Sequence, residues 1–490
     1  MSQISDLIAR AACHFGDRPC LVEGARVVSF AEFDSATSRF ANAMLALGLA
    51  HGDRVGVLLP NGIDCLVAYY GLARAVLVRV SLNSRDTVTD LHFKLVEVGA
   101  RAVLVGNDAP ELGVEITLPP ARLRELLDAA RDTPCGVERS LDEPYRLGFT
   151  GGTTGRPKAV TLTERGELAE LSALLTDLVP DLGTGDRFLH AAPIAHASGA
   201  FFLPALVRGA ASLVMAKFDT EGFVALAAAS RATMTFLVPT MLALLLEEPS
   251  LAGADLALRR IAYGASPIAP AVYARAERRF GPIFAQTYGQ AESPMVITCL
   301  KPDEHDRVGS CGRPFTLAQV AVMDDDGRLL PSDHVGEIVV KGPQLMAHYW
   351  NRPDATAEAF RGGWLHTGDI GRMDRNGFFY LLDRKGDMLI SGGYNVYPRE
   401  VEDVLLAFPG VVEAAVIGLP DETWGDRVHA VVSGQELDTA ALLAHARAAL
   451  AGYKAPKSAE VWEALPKSPA GKILRREVKR LVIEAQEVLA

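Results

Sequence analysis

The run Phe149-Thr150-Gly151-Gly152-Thr153-Thr154-Gly155-Arg156-Pro157-Lys158 interleaves three glycines with three threonines and ends in a lysine. Glycines let backbone approach an anion closely, and amides, hydroxyls and an ammonium can donate to phosphate oxygens. A Walker loop requires Gly-Lys followed by Ser or Thr. Here Pro157 precedes Lys158 and Ala159 follows it, so ordinary P-loop chemistry does not fit. The run is another kind of phosphate grip or a solvated flexible turn.

Five further side chains could do chemistry: His196 in PIAHASG, Glu292 in TYGQAES, Asp369 in GGWLHTGD, Arg384 in DRKGD and Lys472 in PAGKILRREV. Taken singly each has a plain reading: a satisfied imidazole, a loop carboxylate, a turn residue beside Gly368, a surface charge and a solvent-facing lysine. Tyr288 reads as a strand end, which sets Glu292 in the loop at the edge where open α/β sheets bind ligands. A carboxylate such as Asp369 can accept hydrogen bonds from two neighbouring hydroxyls, as a ribose offers. Ser391-Gly392-Gly393 is small enough for an extended arm to pass close to backbone. Lys454, Lys457, Lys467, Lys472, Arg475, Arg476, Lys479 and Arg480 make the last segment locally basic, either as a solvated helix face or as a partner for phosphates.

The elements needed to position these groups follow from the hydrophobic pattern. RVGVLL from Arg54, an apolar helical stretch through Tyr69 and Leu72, and AVLVRVSL read as a βαβ crossover. The alternation recurs at LHFKLVEVGARAVLVG, at AAASRATMTFLVP and from Arg260 to Gly289, where RRIAYG and PIFAQTYG flank a helix entered at Pro270. The predicted fold is α/β, with sheets carrying helices on their faces. Between Cys311 and Tyr380 short β-rich pieces separated by Gly, Asp and Pro predict a smaller β subdomain. Beyond Gly386 a helix begun at Pro398, strands VEAAVIGLP and DRVHAVVSG and a helix TAALLAHARAALAG predict a separate α+β unit of about a hundred residues.

Length and composition bound the function. The 490 residues exceed what one core holds, and 49% hydrophobic with 22% charged residues excludes intrinsic disorder. A net charge of −11 disfavours a nucleic-acid partner gripped by general positive charge. The longest uncharged stretch, Phe188 to Val207, contains Pro193, Pro204, Ser198 and two histidines, so it reads as α/β interior and no membrane segment is predicted. The N-terminal residues include an early acid and lack a long apolar core, which points to the cytosol. The six cysteines show neither CxxC nor metal-ligand spacing and predict reduced, mostly packed thiols.

The segments FTGGTTGRPKAV, PIAHASG, TYGQAES, GGWLHTGD, DRKGDMLISGGYNVYPREVE and PKSPAGKILRREV, in that order, resemble the motifs of the adenylate-forming superfamily of acyl-CoA synthetases, peptide-synthetase adenylation domains and firefly luciferase, and most closely an acyl- or aryl-CoA ligase. The resemblance spans nearly the whole chain and implies an N-terminal adenylation domain at 1–383, itself two α/β sheet subdomains plus a small β subdomain, a hinge at 384–386 and a mobile α+β domain at 387–490. It implies ATP, Mg²⁺ and coenzyme A, with a small carboxylic acid converted to acyl-AMP and then to a thioester. By resemblance Thr150, Gly151, Gly152, Thr153, Thr154, Gly155, Lys158, Tyr288, Gly289, Asp369 and Arg384 hold the nucleotide, with Tyr288 near the adenine. Glu292 would bind the metal and take part in catalysis. Lys472 would bridge carboxylate and α-phosphate. His196, Ala197, Phe201, Gly264 and Ala265 would form the acyl pocket, with His196 also counted as catalytic, Ser391, Gly392 and Gly393 the CoA channel, and Gly386 the hinge.

Three positions depart from the pattern. Gly386 stands where Asp or Lys is usual, and so offers backbone freedom without a side chain to latch either state. Ala291 replaces a threonine and Gly151 a serine, each removing a hydroxyl worth about 1 kcal/mol if it is bonded, which together could slow adenylation about tenfold or more. The pocket residues Ala197, Ser198, Gly199, Ala200, Phe201 and Phe202 are largely apolar and suit an aromatic or medium-length aliphatic acid. No aspartate in HAAPIAHASGAFF could hold an α-ammonium. Two other readings remain open here: an adenylating enzyme that loads a carrier protein's phosphopantetheine, and a nucleotide-binding regulator that has lost catalysis.

Overall fold

The computed structural model of the protein describes residues 3–107, 109–150, 157–421, 423–435, 437–467 and 473–489. Strand Arg54–Leu58, helix Ile63–Arg74 and strand Val78–Ser81 form the predicted βαβ unit, with the two strands parallel. Ala102–Val105 and Ile116–Leu118 extend this sheet on one side and Pro144–Phe149 on the other. Two antiparallel strands, Ala159–Thr163 and His348–Tyr349, finish the edge of seven strands. Ala102–Val105 is buried at all four residues, the continuous apolar run of a strand covered on both faces.

A second sheet of thirteen strands has a parallel centre made by Pro19–Glu23, Ala211–Val214, Arg187–His190, Met234–Leu237, Arg260–Gly264 and Phe284–Gln290. It then continues antiparallel through Ser293–Leu300 and Ser310–Pro314 into Phe379–Arg384, Leu365–Met373, Val335–Lys341 and Gln319–Met323. The predicted smaller β subdomain is therefore hydrogen-bonded to the second sheet as its edge. Ser310–Pro314 is the joint, since it pairs with a strand on each side. Gly312, at φ +96°, lies against the Cys299 backbone so tightly that any Cβ would overlap it.

The two large sheets share one apolar cluster. Leu168 and Leu171 of helix Glu164–Ala173 pack there with Phe202, Leu203 and Leu206 of helix Phe202–Arg208. Full burial of each such side chain contributes about 1.5–3 kcal/mol. Phe188, Leu189, Phe201 and Phe202 of the uncharged stretch are buried while His196 is exposed, and among the described residues no helix is long and apolar enough to cross a membrane. All six cysteines are unpaired, and burial pushes the Cys65 and Cys311 thiols up to about 12.

A third, five-stranded sheet lies after residue 388: Leu389–Ser391, Tyr394–Val396, Val411–Asp421, Gly425–Gly434 and Ser458–Trp462. Val401 and Leu405 of helix Pro398–Leu406 and Leu442 and Ala446 of helix Thr439–Ala449 cover one face. Val478 and Val482 of helix Arg475–Leu489 cover the other.

Candidate active site

The expected nucleotide residues gather from strand ends. The Thr150 N–H donates to the Lys158 carbonyl at 3.0 Å, and the Lys158 N–H donates to Thr150 Oγ1 at 3.2 Å. Those bonds close the base of the Gly/Thr run. Gly151, Gly152, Thr153, Thr154 and Gly155 lie outside the described residues. Lys158 Nζ stands 4.4 Å above the ring centre of Tyr349, whose hydroxyl donates to Glu292 Oε1 at 2.6 Å. Burial, then the Glu292 charge, pushes the Tyr349 hydroxyl well up and keeps it a donor. Tyr349 thus couples the lysine to the carboxylate. Sequence reading missed it because it sits on a two-residue strand recognisable only by its pairing with Val160.

Tyr288 does not end its strand. Phe284–Gln290 runs two residues further and returns as Ser293–Leu300, leaving Ala291 and Glu292 as the turn of a hairpin. Gly289 is forced there, because a Cβ would overlap the Met295 backbone and the Ser293 carbonyl. The buried Tyr288 hydroxyl donates to Asp369 Oδ2 at 2.5 Å, and burial, then Asp369, pushes that hydroxyl well up. Arg384 lies opposite Asp369 in the ladder, with its Nε 3.1 Å from Asp369 Oδ1. Burial works against the Arg384 charge, but Asp369, Tyr288, Glu292 and Asp387 outweigh it and hold the guanidinium above its ordinary range.

The turn before Asp369 is built to be rigid. Thr367 Oγ1 accepts the Asp369 N–H at 3.0 Å and donates to the Ile338 carbonyl at 2.7 Å. The buried Glu337 accepts the Gly368 N–H at 3.0 Å and pairs with Arg361 at 3.0 Å. Neither is singled out from the sequence: Thr367 lies inside GGWLHTGD but is anchored through the Ile338 carbonyl, and Glu337 reaches Gly368 from a strand far away in the chain.

The expected acyl-pocket residues divide by depth. His196 is exposed on the loop after strand Arg187–His190, with Ala197 half-buried beside it. Gly264 closes strand Arg260–Gly264 so near the Thr287 carbonyl that a Cβ would overlap it, and Ala265 follows at φ +69°, an unusual value for alanine. Phe201 is fully buried, stacked on Phe188 at 4.7 Å between ring centres, so it backs this region from inside the core. Asn61, just past strand Arg54–Leu58, ties the loop to the first sheet: its amide donates to the Ala192 carbonyl at 3.1 Å and accepts the Ile194 N–H at 2.8 Å. Gly199 meets the Ile194 carbonyl too closely for any side chain. The buried His190 holds the loop from below through Ser198 and is itself anchored by Ser212 of strand Ala211–Val214.

In the third sheet Ser391 is fully buried, and Gly392 and Gly393, at φ +60° and +82°, form the two-residue turn of the hairpin joining Ser391 to Tyr394. A turn with both central φ positive demands glycine or asparagine by itself. Gly386 is exposed, and a Cβ there would meet nothing within 4 Å. Arg475 reaches both flanks of that glycine: Nη1 lies 2.9 Å from Asp383 and 3.1 Å from Asp387, while Nη2 lies 2.6 Å from Glu402. Lys472, three residues earlier, lies outside the described residues.

The chain is similar to known proteins in sequence and in overall fold. The AMP-binding enzyme family matches residues 8–350, and the AMP-binding enzyme C-terminal domain matches residues 400–472. The chain belongs to this family. It is 36% identical to the medium/long-chain-fatty-acid–CoA ligase FadD8 of Mycobacterium tuberculosis, over 96% of this chain and 89% of that protein. It is 38% identical to a feruloyl-CoA synthase of an Amycolatopsis species, over 93% and 94%. Among solved structures, the o-succinylbenzoate CoA synthetase MenE of Bacillus subtilis, in complex with the acyl-adenylate intermediate OSB-AMP, superposes with TM-score 0.90 at 30% identity, covering 98% of this chain and 99% of that one.

The donor set suits Mg²⁺. Magnesium favours one or two carboxylates completed by water and substrate phosphates. Glu292 supplies a half-buried carboxylate with one oxygen engaged by Tyr349, and among the described residues no group of three or more His, Cys, Asp or Glu makes a closed metal cage.

Proposed function

We propose that the chain is an ATP-dependent, AMP-forming acyl-CoA synthetase that acts on a largely apolar carboxylic acid, aromatic or medium-length aliphatic. One observation carries the reading: Lys158, Tyr349 and Glu292 form one connected set, and Tyr288, Asp369 and Arg384 another, with the charge of Glu292 reaching Arg384. An ammonium, a guanidinium and two carboxylates so arranged suit a nucleoside triphosphate.

In the first half-reaction the acid's carboxylate oxygen attacks the α-phosphorus of ATP, and the bond to pyrophosphate breaks to leave acyl-AMP. Two anions must approach, so cations that neutralise the phosphoryl oxygens lower the barrier. Lys158 and the Thr150 hydroxyl donate to phosphate, and Lys472 bridges carboxylate and α-phosphate. Asp369 offers about four acceptor positions, of which Tyr288 and Arg384 use two, leaving two for ribose hydroxyls. Glu292 would hold Mg²⁺, which when bound draws charge from phosphate oxygens. In the second half-reaction the thiol sulfur of CoA attacks the acyl carbonyl, loses its proton and expels AMP. Residues 387–490 turn about Gly386 between the halves, and Ser391, Gly392 and Gly393 line the path of the thiol arm. We place the enzyme in the cytosol.

Acid-dependent exchange of labelled pyrophosphate into ATP, run across a carboxylate panel, tests the proposal. Exchange with an apolar acid, followed by thioester formation on adding CoA, is expected. Nucleotide binding without exchange for any acid would overturn it, and thioester formation only on a phosphopantetheinyl carrier protein would replace the acceptor.

A further inference from the structure

The His196 ring is held from the other sheet. Asn83 follows strand Val78–Ser81, and its Nδ2 lies 3.1 Å from His196 Nε2. A side-chain amide has one acceptor oxygen and one NH₂ group. Asn83 Oδ1 already accepts the Arg85 N–H at 2.9 Å. A backbone amide can only donate, so that bond identifies the oxygen and turns the NH₂ group to the imidazole. An amide NH₂ has no lone pair to offer, so Nε2 must supply one. A neutral imidazole with a bare Nε2 carries its proton on Nδ1.

Both ends of the contact are fixed. Thr87, four residues beyond Asn83, caps helix Val88–Glu97 by accepting the Asp90 N–H at 3.1 Å. On the other side the His196 N–H donates to the Pro193 carbonyl at 3.1 Å, and the His196 carbonyl accepts the Gly199 N–H at 3.1 Å. The backbone on both sides is thus held, and the Asn83 contact orients the ring.

We propose that Asn83 is a positioning residue that sets His196 in the Nδ1–H tautomer, with its lone pair engaged and its proton on the edge away from Asn83. The proposal rests on the reading of His196 as an acyl-pocket residue. It fits the chemistry of that reading, since an ionised acid needs no general base and a free lone pair turned toward its oxygens would repel them. On the edge away from Asn83 His196 then carries an N–H and no lone pair.

The test is ¹⁵N spectroscopy of the histidine-labelled full chain near neutral pH, with His196 assigned by the signals lost in His196→Gln. In the unsubstituted protein Nε2 is expected to be bare and Nδ1 protonated. Asn83→Asp replaces the donor by an acceptor, so the proton should move to Nε2 and the two signals exchange character. The KM for the acid in pyrophosphate exchange should rise about tenfold, more than kcat falls, as expected for loss of one oriented hydrogen bond. Asn83→Leu keeps the volume and removes the donor, and should lose the Nδ1–H preference; if it does not fold, the first two proteins decide. A protonated Nε2 in the unsubstituted chain, or an unaltered His196 pattern in Asn83→Asp, overturns the inference. An enzyme that exchanges pyrophosphate yet fails this test sinks the tautomer alone, whereas the expected tautomer without exchange for any acid sinks the enzymatic reading alone.

Discussion

Replacing Tyr349 by Phe removes one oxygen, the donor to Glu292, and keeps the ring under Lys158. A hydrogen bond to a charged group is worth about 1.5–3 kcal/mol. Glu292 is half-buried, so water can take the place of the hydroxyl, and the lower end applies, about 1.5 kcal/mol. At 1.36 kcal/mol per decade this is about tenfold in kcat/KM for ATP. The loss should be accompanied by a higher Mg²⁺ concentration at half-maximal rate, because Glu292 is no longer aimed. The assay is pyrophosphate exchange at saturating acid, titrated in ATP and then in Mg²⁺, with thermal unfolding as a check that the fold is unchanged. Tyr349→Leu also removes the cation–π contact, worth about 0.5–1 kcal/mol, and should cost a further twofold to fivefold. A Phe variant within twofold of the unsubstituted enzyme in both titrations would refute the coupling of Lys158 to Glu292 through Tyr349.

Lys472→Ala should depress adenylation far more than thioester formation from supplied acyl-AMP, and equal loss in both half-reactions would contradict its role. Arg475→Met leaves Asp383, Asp387 and Glu402 without their shared cation, and loss of one partner of a buried ion pair costs about 3–5 kcal/mol, to be read from denaturant unfolding of the full chain. Burial lowers the His190 imidazole to about 4 from an ordinary 6.5. The folded state therefore rejects a proton that the unfolded chain accepts, so this contribution is complete above pH 6.5 and is lost as pH falls toward 4, at up to about 1.4 kcal/mol per unit. His190→Gln should be less stable at neutral pH, with the gap to the unsubstituted protein narrowing across that window; a constant gap would show that the ring does not stay neutral.

The sequence was most readable where a local rule applies. The parallel strands Arg54–Leu58 and Met234–Leu237 were visible as apolar runs, and the helices opened by Pro270 and Pro398 were visible from their first residues. The strand through Tyr288 runs two residues past the end expected from the sequence, because Gly289 fits a close backbone approach inside a hairpin. Gly392 and Gly393 show the reverse case, since a sequence reason based on a passing ligand arm is joined by a simpler one, the positive φ of both turn residues.

By itself the chain determined which chemical groups were available: the Gly/Thr run with Lys158, the carboxylates Glu292 and Asp369, the cations Arg384 and Lys472, and the apolar stretches that fix helix and strand. Only the tertiary structure decided their partners. Tyr349 bears on Glu292, Asn83 on His196, Glu337 on the Gly368 turn and Arg475 on both sides of Gly386 through pairings across sheets and between distant segments. Local spacing encodes periodicity and turns, but a hydrogen bond between residues far apart in sequence depends on how strands are ordered, and no nearby residue records that order.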